Sequence, residues 1–187
     1  MRLWTMQPVE VYEIMQKTGV FICDKEKADN EYFLESYDWL NTYLEQKDPK
    51  PENVEYPVWA WSRFNSMEKK PDLRHSCYGR HGEKMVCIEL EIPDEKVLLS
   101  DFDNWHAVLN KWWLDDSNCE EEWDRNHEWY DKLPFEEQEA IMRKSWEKIF
   151  DITPFSNEWR CNGKYVQAVF WELKKEYVKK VQFFTAR

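Results

Sequence analysis

Two periodicities alternate along the chain. Over residues 84–92, Val86, Ile88, Leu90 and Ile92 fall on one side of an extended backbone and Met85, Cys87, Glu89 and Glu91 on the other, the two-residue repeat of a strand. Shorter stretches read the same way: Leu3, Trp4, Thr5 and Met6 at the start, Val58 to Trp61 within 57–62, Val97 to Leu99, residues 165–173, and residues 177–184 at the end. Between them runs helical spacing. Val9, Tyr12, Ile14 and Met15 follow Pro8, which suits the first turn of a helix, and precede Gly19, which suits its C-terminal cap. Asp29 is placed to cap a helix over 31–45 with Phe33, Leu34, Tyr37, Leu40, Tyr43 and Leu44 as its apolar stripe. Asp101 or Asp103 would cap another, carrying Trp105, Val108, Leu109 and Trp112. Pro134 opens one that reaches Phe150, with Ile141, Trp146, Ile149 and Phe150 inward, and 115–131 is expected to be helical. Residues 47–55 and 64–82 read as loops, and Asn162-Gly163 as a turn. The expectation is an α+β fold: a small mixed or antiparallel sheet flanked by helices. With no repeat, low-complexity tract or interior linker, residues 1–187 are expected to form a single domain.

Charge narrows the partners. The net charge is −11, which argues against nonspecific nucleic-acid binding by the surface as a whole. The charge is uneven. Residues 115–139 hold eleven acids against Arg125 and Lys132, whereas the last fourteen residues hold Lys174, Lys175, Lys179, Lys180 and Arg187 against Glu176. Both stretches read most simply as solvated faces. The five cysteines show no CxxC spacing and no secretory signal precedes them, so they read as reduced thiols of a cytoplasmic protein. No apolar run approaches the roughly 20 residues that span a bilayer, and no membrane partner is expected.

Twelve tryptophans are too many to expose. Most must fill the core, but a few could form a stacking wall for a base or a nicotinamide ring. The dinucleotide-binding, Walker A, HExxH and GxSxG motifs are missing. Four clusters remain. His75, Cys77 and His81 share a loop but fall short of the four ligands zinc needs, so no metal is expected. Asp101, Asp103 and His106 lie at a strand–helix junction, where helix capping competes with cation or acid–base roles. Trp59 and Trp61 share one face of a strand that ends in Arg63, with Arg74 following; indole and guanidinium together suit an anionic, aromatic ligand. The last cluster is Gln167 to Glu172, where a carboxylate among apolar neighbours must be paired, at an edge, or functional.

Leu3-Trp4-Thr5-Met6-Gln7, Leu99-Ser100-Asp101-Phe102-Asp103-Asn104-Trp105-His106 and Gln167-Ala168-Val169-Phe170-Trp171-Glu172-Leu173 resemble, over the whole chain, an uncharacterised bacterial family, domain of unknown function 3841. The chain also resembles ADP-ribosyltransferase-like domains, including the DNA-modifying toxin branch. The likeness lies in the run from Trp4-Thr5 to Gly19, the aromatic strand Val58 to Arg63 and the Gln167-Ala168 pair. That second resemblance implies a split sheet and NAD as cofactor. Trp4, Thr5, Gln7, Trp59, Trp61, Arg63, Arg74 and Gln167 would bind it, and Glu172 would be the catalytic carboxylate. That family carries its glutamate directly after the Gln-Ala pair. Here Val169 stands there, and Glu172 comes three positions later on the opposite strand face. Three readings follow: an enzyme passing ADP-ribose to a macromolecular acceptor, a module that binds a nucleotide or a protein partner without turnover, in bacterial defence or counter-defence, and an acidic inhibitor that works through 115–139.

Overall fold

The computed structural model describes residues 1–23 and 31–187. The first elements are β1 (Arg2–Pro8), α1 (Val9–Thr18) and β2 (Val20–Ile22). Pro8 ends the strand and caps the helix in one step, because its fixed φ suits both and its missing N–H is no loss there. Gly19 stops α1 at φ +87°, its N–H bonded to the Met15 carbonyl at 2.9 Å. A short 3-10 turn, Glu31–Phe33, leads into α2 (Leu34–Lys47), which runs two residues past the expected end. The expected cap, Asp29, lies outside the described residues. Next come β3 (Val58–Arg63), β4 (Lys84–Glu91), β5 (Leu98–Asp101), α3 (Phe102–Leu109), α4 (Glu120–Tyr130) and α5 (Phe135–Ser145). A 3-10 turn, Trp146–Phe150, follows α5; then come β6 (Phe155–Ser156), β7 (Cys161–Asn162), β8 (Val166–Phe170), β9 (Glu172–Lys174) and β10 (Val178–Thr185).

Six strands form one antiparallel sheet in the order β10-β4-β1-β3-β8-β5. The α+β expectation therefore holds, with the large sheet wholly antiparallel. Paired residues share a face, so the register sorts the side chains. One face carries Leu3, Val58, Ala60, Val86, Ile88, Leu90, Ala168 and Phe170, packed against Val11 and Met15 of α1, Phe21 of β2 and Leu173 of β9. The other face is divided. Over β3, β8 and β5 it is roofed by helices: Trp59 and Val169 meet Leu40 and Leu44 of α2, Trp105 and Val108 of α3, and the wholly buried Trp146 and Ile149. Over β1, β4 and β10 the loop between β3 and β4 lies above the sheet instead. Each large side chain buried in these two layers contributes about 1.5–3 kcal/mol.

Two expectations need correction. α3 ends at Leu109 and the backbone turns left-handed at Lys111 (φ +55°), so Trp112 is not on the helix and stands 61% exposed. The single strand expected over 165–173 is broken at Trp171, whose buried indole N–H donates to the Asp48 carbonyl at 2.7 Å. Beyond that anchor, β9 leaves the large sheet and pairs with β2, setting Glu172 opposite Ile22.

Candidate functional site

One row of cross-strand partners spans the helix-bearing face of the sheet: Lys180, Glu89, Trp4, Trp61, Gln167 and Ser100, one from each strand. Three buried polar atoms in this row, Trp4 Nε1, Gln167 Oε1 and Ser100 Oγ, have no hydrogen-bond partner among the described residues. Such atoms are few in folded proteins and each calls for an account. Where the helical roof stops, the row opens into a groove. A chamber of about 290 Å³ is floored by Trp4, Cys87, Glu89, Lys180 and Gln182 and bounded by Arg2 and by Glu68, Lys69 and Lys70 of the overlying loop. A second chamber of about 500 Å³ shares Lys69, Lys70 and Gln182 with the first and adds Phe64, Asp72, Arg74 and His75.

The groove is basic in an acidic protein. Five cations line its two chambers against Glu68, Asp72 and Glu89. Arg2 sets Nε and Nη2 on Oε1 of Glu89 at 2.9 and 2.7 Å, with its guanidinium carbon 5.2 Å from the Trp4 ring centroid. Arg74 is forked onto Asp72, and the guanidinium holds that carboxyl well below the usual carboxylate range. Lys69, Lys70 and Lys180 have no carboxylate partner among the described residues; Lys70 Nζ instead donates to Gln182 Oε1 at 2.5 Å. On the floor, burial pushes the Cys87 thiol up to about 11, which keeps it protonated and inert near neutrality. Phe64 and His75, with ring centroids 5.8 Å apart, give the second chamber aromatic surface.

Of the residues singled out from sequence, the structure brings Trp4, Arg74 and His75 to this groove. Trp61 supports it from behind, its ring edge-on to Phe64 at 5.3 Å. The others are used elsewhere. Thr5 points to the opposite sheet face, where its hydroxyl donates to the Trp59 carbonyl at 2.8 Å and accepts from Gln7 Nε2 at 2.7 Å. Trp59 packs between Trp105 and Tyr37 under the helices. Arg63 Nη1 donates to the carbonyls of Ile152 and Gly163 at 3.0 and 2.7 Å, tying two loops together. Gln167 lies under the roofed part of the row. Glu172 is ion-paired with Lys174 at 2.9 Å and borders a shallow depression with Gly19, Val20 and Glu176, sharing no lining residue with the groove.

The remaining clusters have local roles. Asp101 caps α3, accepting from the backbone N–H groups of Asn104 and Gly163 at 2.8 and 2.7 Å, and its burial raises the carboxyl above its ordinary value. His106 Nδ1 lies 2.9 Å from the Phe102 carbonyl. Among the described residues, no three His, Cys, Asp or Glu side chains converge to hold a metal ion. Sequence reasoning passed over Lys69, Lys70 and Gln182, and read Lys180 only as part of a solvated basic face. The polar parity of β4 and β10 was a signal, but which strands they neighbour was not readable.

Fold and site together define an α+β protein with a basic groove on the part of the sheet that its helices leave uncovered. The model of the family described as Domain of unknown function (DUF3841) matches residues 2–179, and the chain belongs to that family. No curated protein and no solved structure matches it. Among the described residues, no helix is long and apolar enough to cross a membrane.

Proposed function

We propose that the protein is a nucleotide-binding module that holds an anionic, aromatic ligand of the NAD or ADP-ribose kind in the basic groove without turning it over. The observation that carries the reading is the groove's charge. Three lysines with no carboxylate partner among the described residues converge, in a protein of net charge −11, around a buried tryptophan whose N–H is likewise unpartnered among them. The lysine ammonium groups suit phosphates, and Phe64 and His75 suit a base that stacks on a ring. The chamber volumes lie in the range of small-ligand sites. Glu172 has no part in the groove, which supports binding over transfer.

Thermal denaturation against NAD, ADP-ribose, cyclic nucleotides and pyrophosphate tests this. A ligand of the native state stabilises by about 2.7 kcal/mol at a hundred times its dissociation constant. The expected result is a saturable rise in Tm with at least one nucleotide, lost in Lys69→Ala/Lys70→Ala and kept in Glu172→Gln. Absence of any rise overturns the proposal. Incubation with labelled NAD is expected to leave protein, DNA and RNA acceptors unlabelled; labelling abolished by Glu172→Gln would restore the enzyme reading.

A further inference from the structure

A second cleft, of about 650 Å³, lies between the start of α4, the β6–β7 ribbon and the chain that follows the Trp146–Phe150 turn. Its walls carry Trp123, Phe155 and Trp159, which are 43%, 45% and 45% exposed. α4 buries none of its residues, although it bears Trp123, Trp129 and Tyr130. Large aromatics left open to solvent in this way mark contact surfaces. The surroundings are strongly acidic: residues 115–139 supply nine of the chain's eleven net negative charges.

The chain's own cations show what this cleft accepts. Arg160 lays its guanidinium carbon 5.1 Å from the Phe155 ring centroid and donates to Asp116 and Asn118 at 3.1 Å each. Lys148 Nζ reaches Asp116 at 2.7 Å and the Leu114 carbonyl at 2.6 Å. Both cations engage Asp116. The exposed acids Glu120 and Asp124, on the turn of α4 that carries Trp123, make no ion pair among the described residues. An aromatic wall beside uncompensated carboxylates attracts cationic side chains through both ring quadrupole and charge.

We infer that this cleft docks a lysine- or arginine-rich segment of a partner protein, whose cationic side chains lie against Trp123 and Trp159 and pair with Glu120 and Asp124 of α4. The inference is independent of the ligand assigned to the basic groove.

The test uses the whole chain and an eight-residue, fluorophore-labelled peptide of alternating arginine and lysine, followed by fluorescence anisotropy at near-physiological salt. Trp123→Ala/Trp159→Ala leaves the net charge unchanged, so attraction by the general field stays while the aromatic wall is removed. The expected result is an affinity loss of at least about tenfold, with Trp129→Ala, outside the cleft, binding as the native chain does. Glu120→Lys/Asp124→Lys is expected to weaken binding as much, and serves if the tryptophan pair proves to be needed for folding. No measurable binding, or equal binding by the native chain and the tryptophan variant, overturns the proposal. Sedimentation in parallel covers the remaining occupant: self-association that the tryptophan variant abolishes would assign the cleft to a second copy of the chain and overturn it as well.

Discussion

Gly163 sits where three parts of the chain meet. Its N–H caps the buried Asp101, its carbonyl accepts from Arg63, and a Cβ there would lie 2.5 Å from the Ile152 carbonyl oxygen. Its φ of +67° adds backbone strain for any other residue. Gly19 has the same strain at φ +87° but open space around its Cβ position. Gly163→Ala is therefore expected to cost at least about 2 kcal/mol and Gly19→Ala about 1 kcal/mol. Urea unfolding of the two variants checks this, and equal losses would show that φ alone matters. Arg63 illustrates what sequence can and cannot tell at this scale. An arginine at the end of an aromatic strand suggests an anion site, yet its guanidinium is consumed by two backbone carbonyls whose positions depend on loops about 90 and 100 residues away in the chain. Trp4 was identifiable as special only by type. That its indole N–H is buried without a partner among the described residues follows from what surrounds it in space.

Among the elements, the helical layer is tied at its edge by Glu35. This first-turn carboxylate of α2 takes Lys111, which follows α3, at 2.5 Å, and is also paired with Arg143 of α5. The two cations hold its carboxyl below the ordinary value of 4.5. A depressed folded-state pKa adds stability that is complete above the unfolded value and lost as pH falls through the folded one. The native chain is thus expected to lose stability below about pH 4.5, and Glu35→Gln to remove part of that acid loss. The pair is substantially exposed, so the effect is no more than about 1 kcal/mol. Urea midpoints between pH 3 and pH 7 measure it, and an identical pH profile for variant and native chain would exclude the role. The strand and helix types were mostly legible, because a two-residue or 3.6-residue period depends only on neighbours in sequence. The break at Trp171 was not, since a run rich in strand formers reads as one strand whether or not its second half changes sheets.

For the molecule as a whole, stability is distributed unevenly. β1 and β4 lie inside the six-stranded sheet and are largely buried, whereas α4 buries no residue and carries Trp129 at 51% exposure. Local opening costs least where few apolar contacts are lost. Hydrogen exchange is therefore expected to reach the α4 amides through low-energy opening, while those of β1 and β4 exchange only near global unfolding. Equal protection in both would mean that α4 is packed more firmly than its exposure implies. The same unevenness separates the two candidate surfaces: the basic groove is floored in part by the buried strands β1 and β4, and the acidic aromatic cleft borders a helix that buries no residue.

The sequence by itself determined the α+β class, most element types, the cap at Gly19 and the segregation of acid into 115–139, because each depends on local spacing or composition. Tertiary structure alone decided which residues meet. Strand order set Lys180 beside Glu89 and Trp4, the helical roof ended over β3, and β9 carried Glu172 into a different ribbon. Pairing between strands distant in sequence is chosen by the packing of the whole core, and no local pattern encodes it.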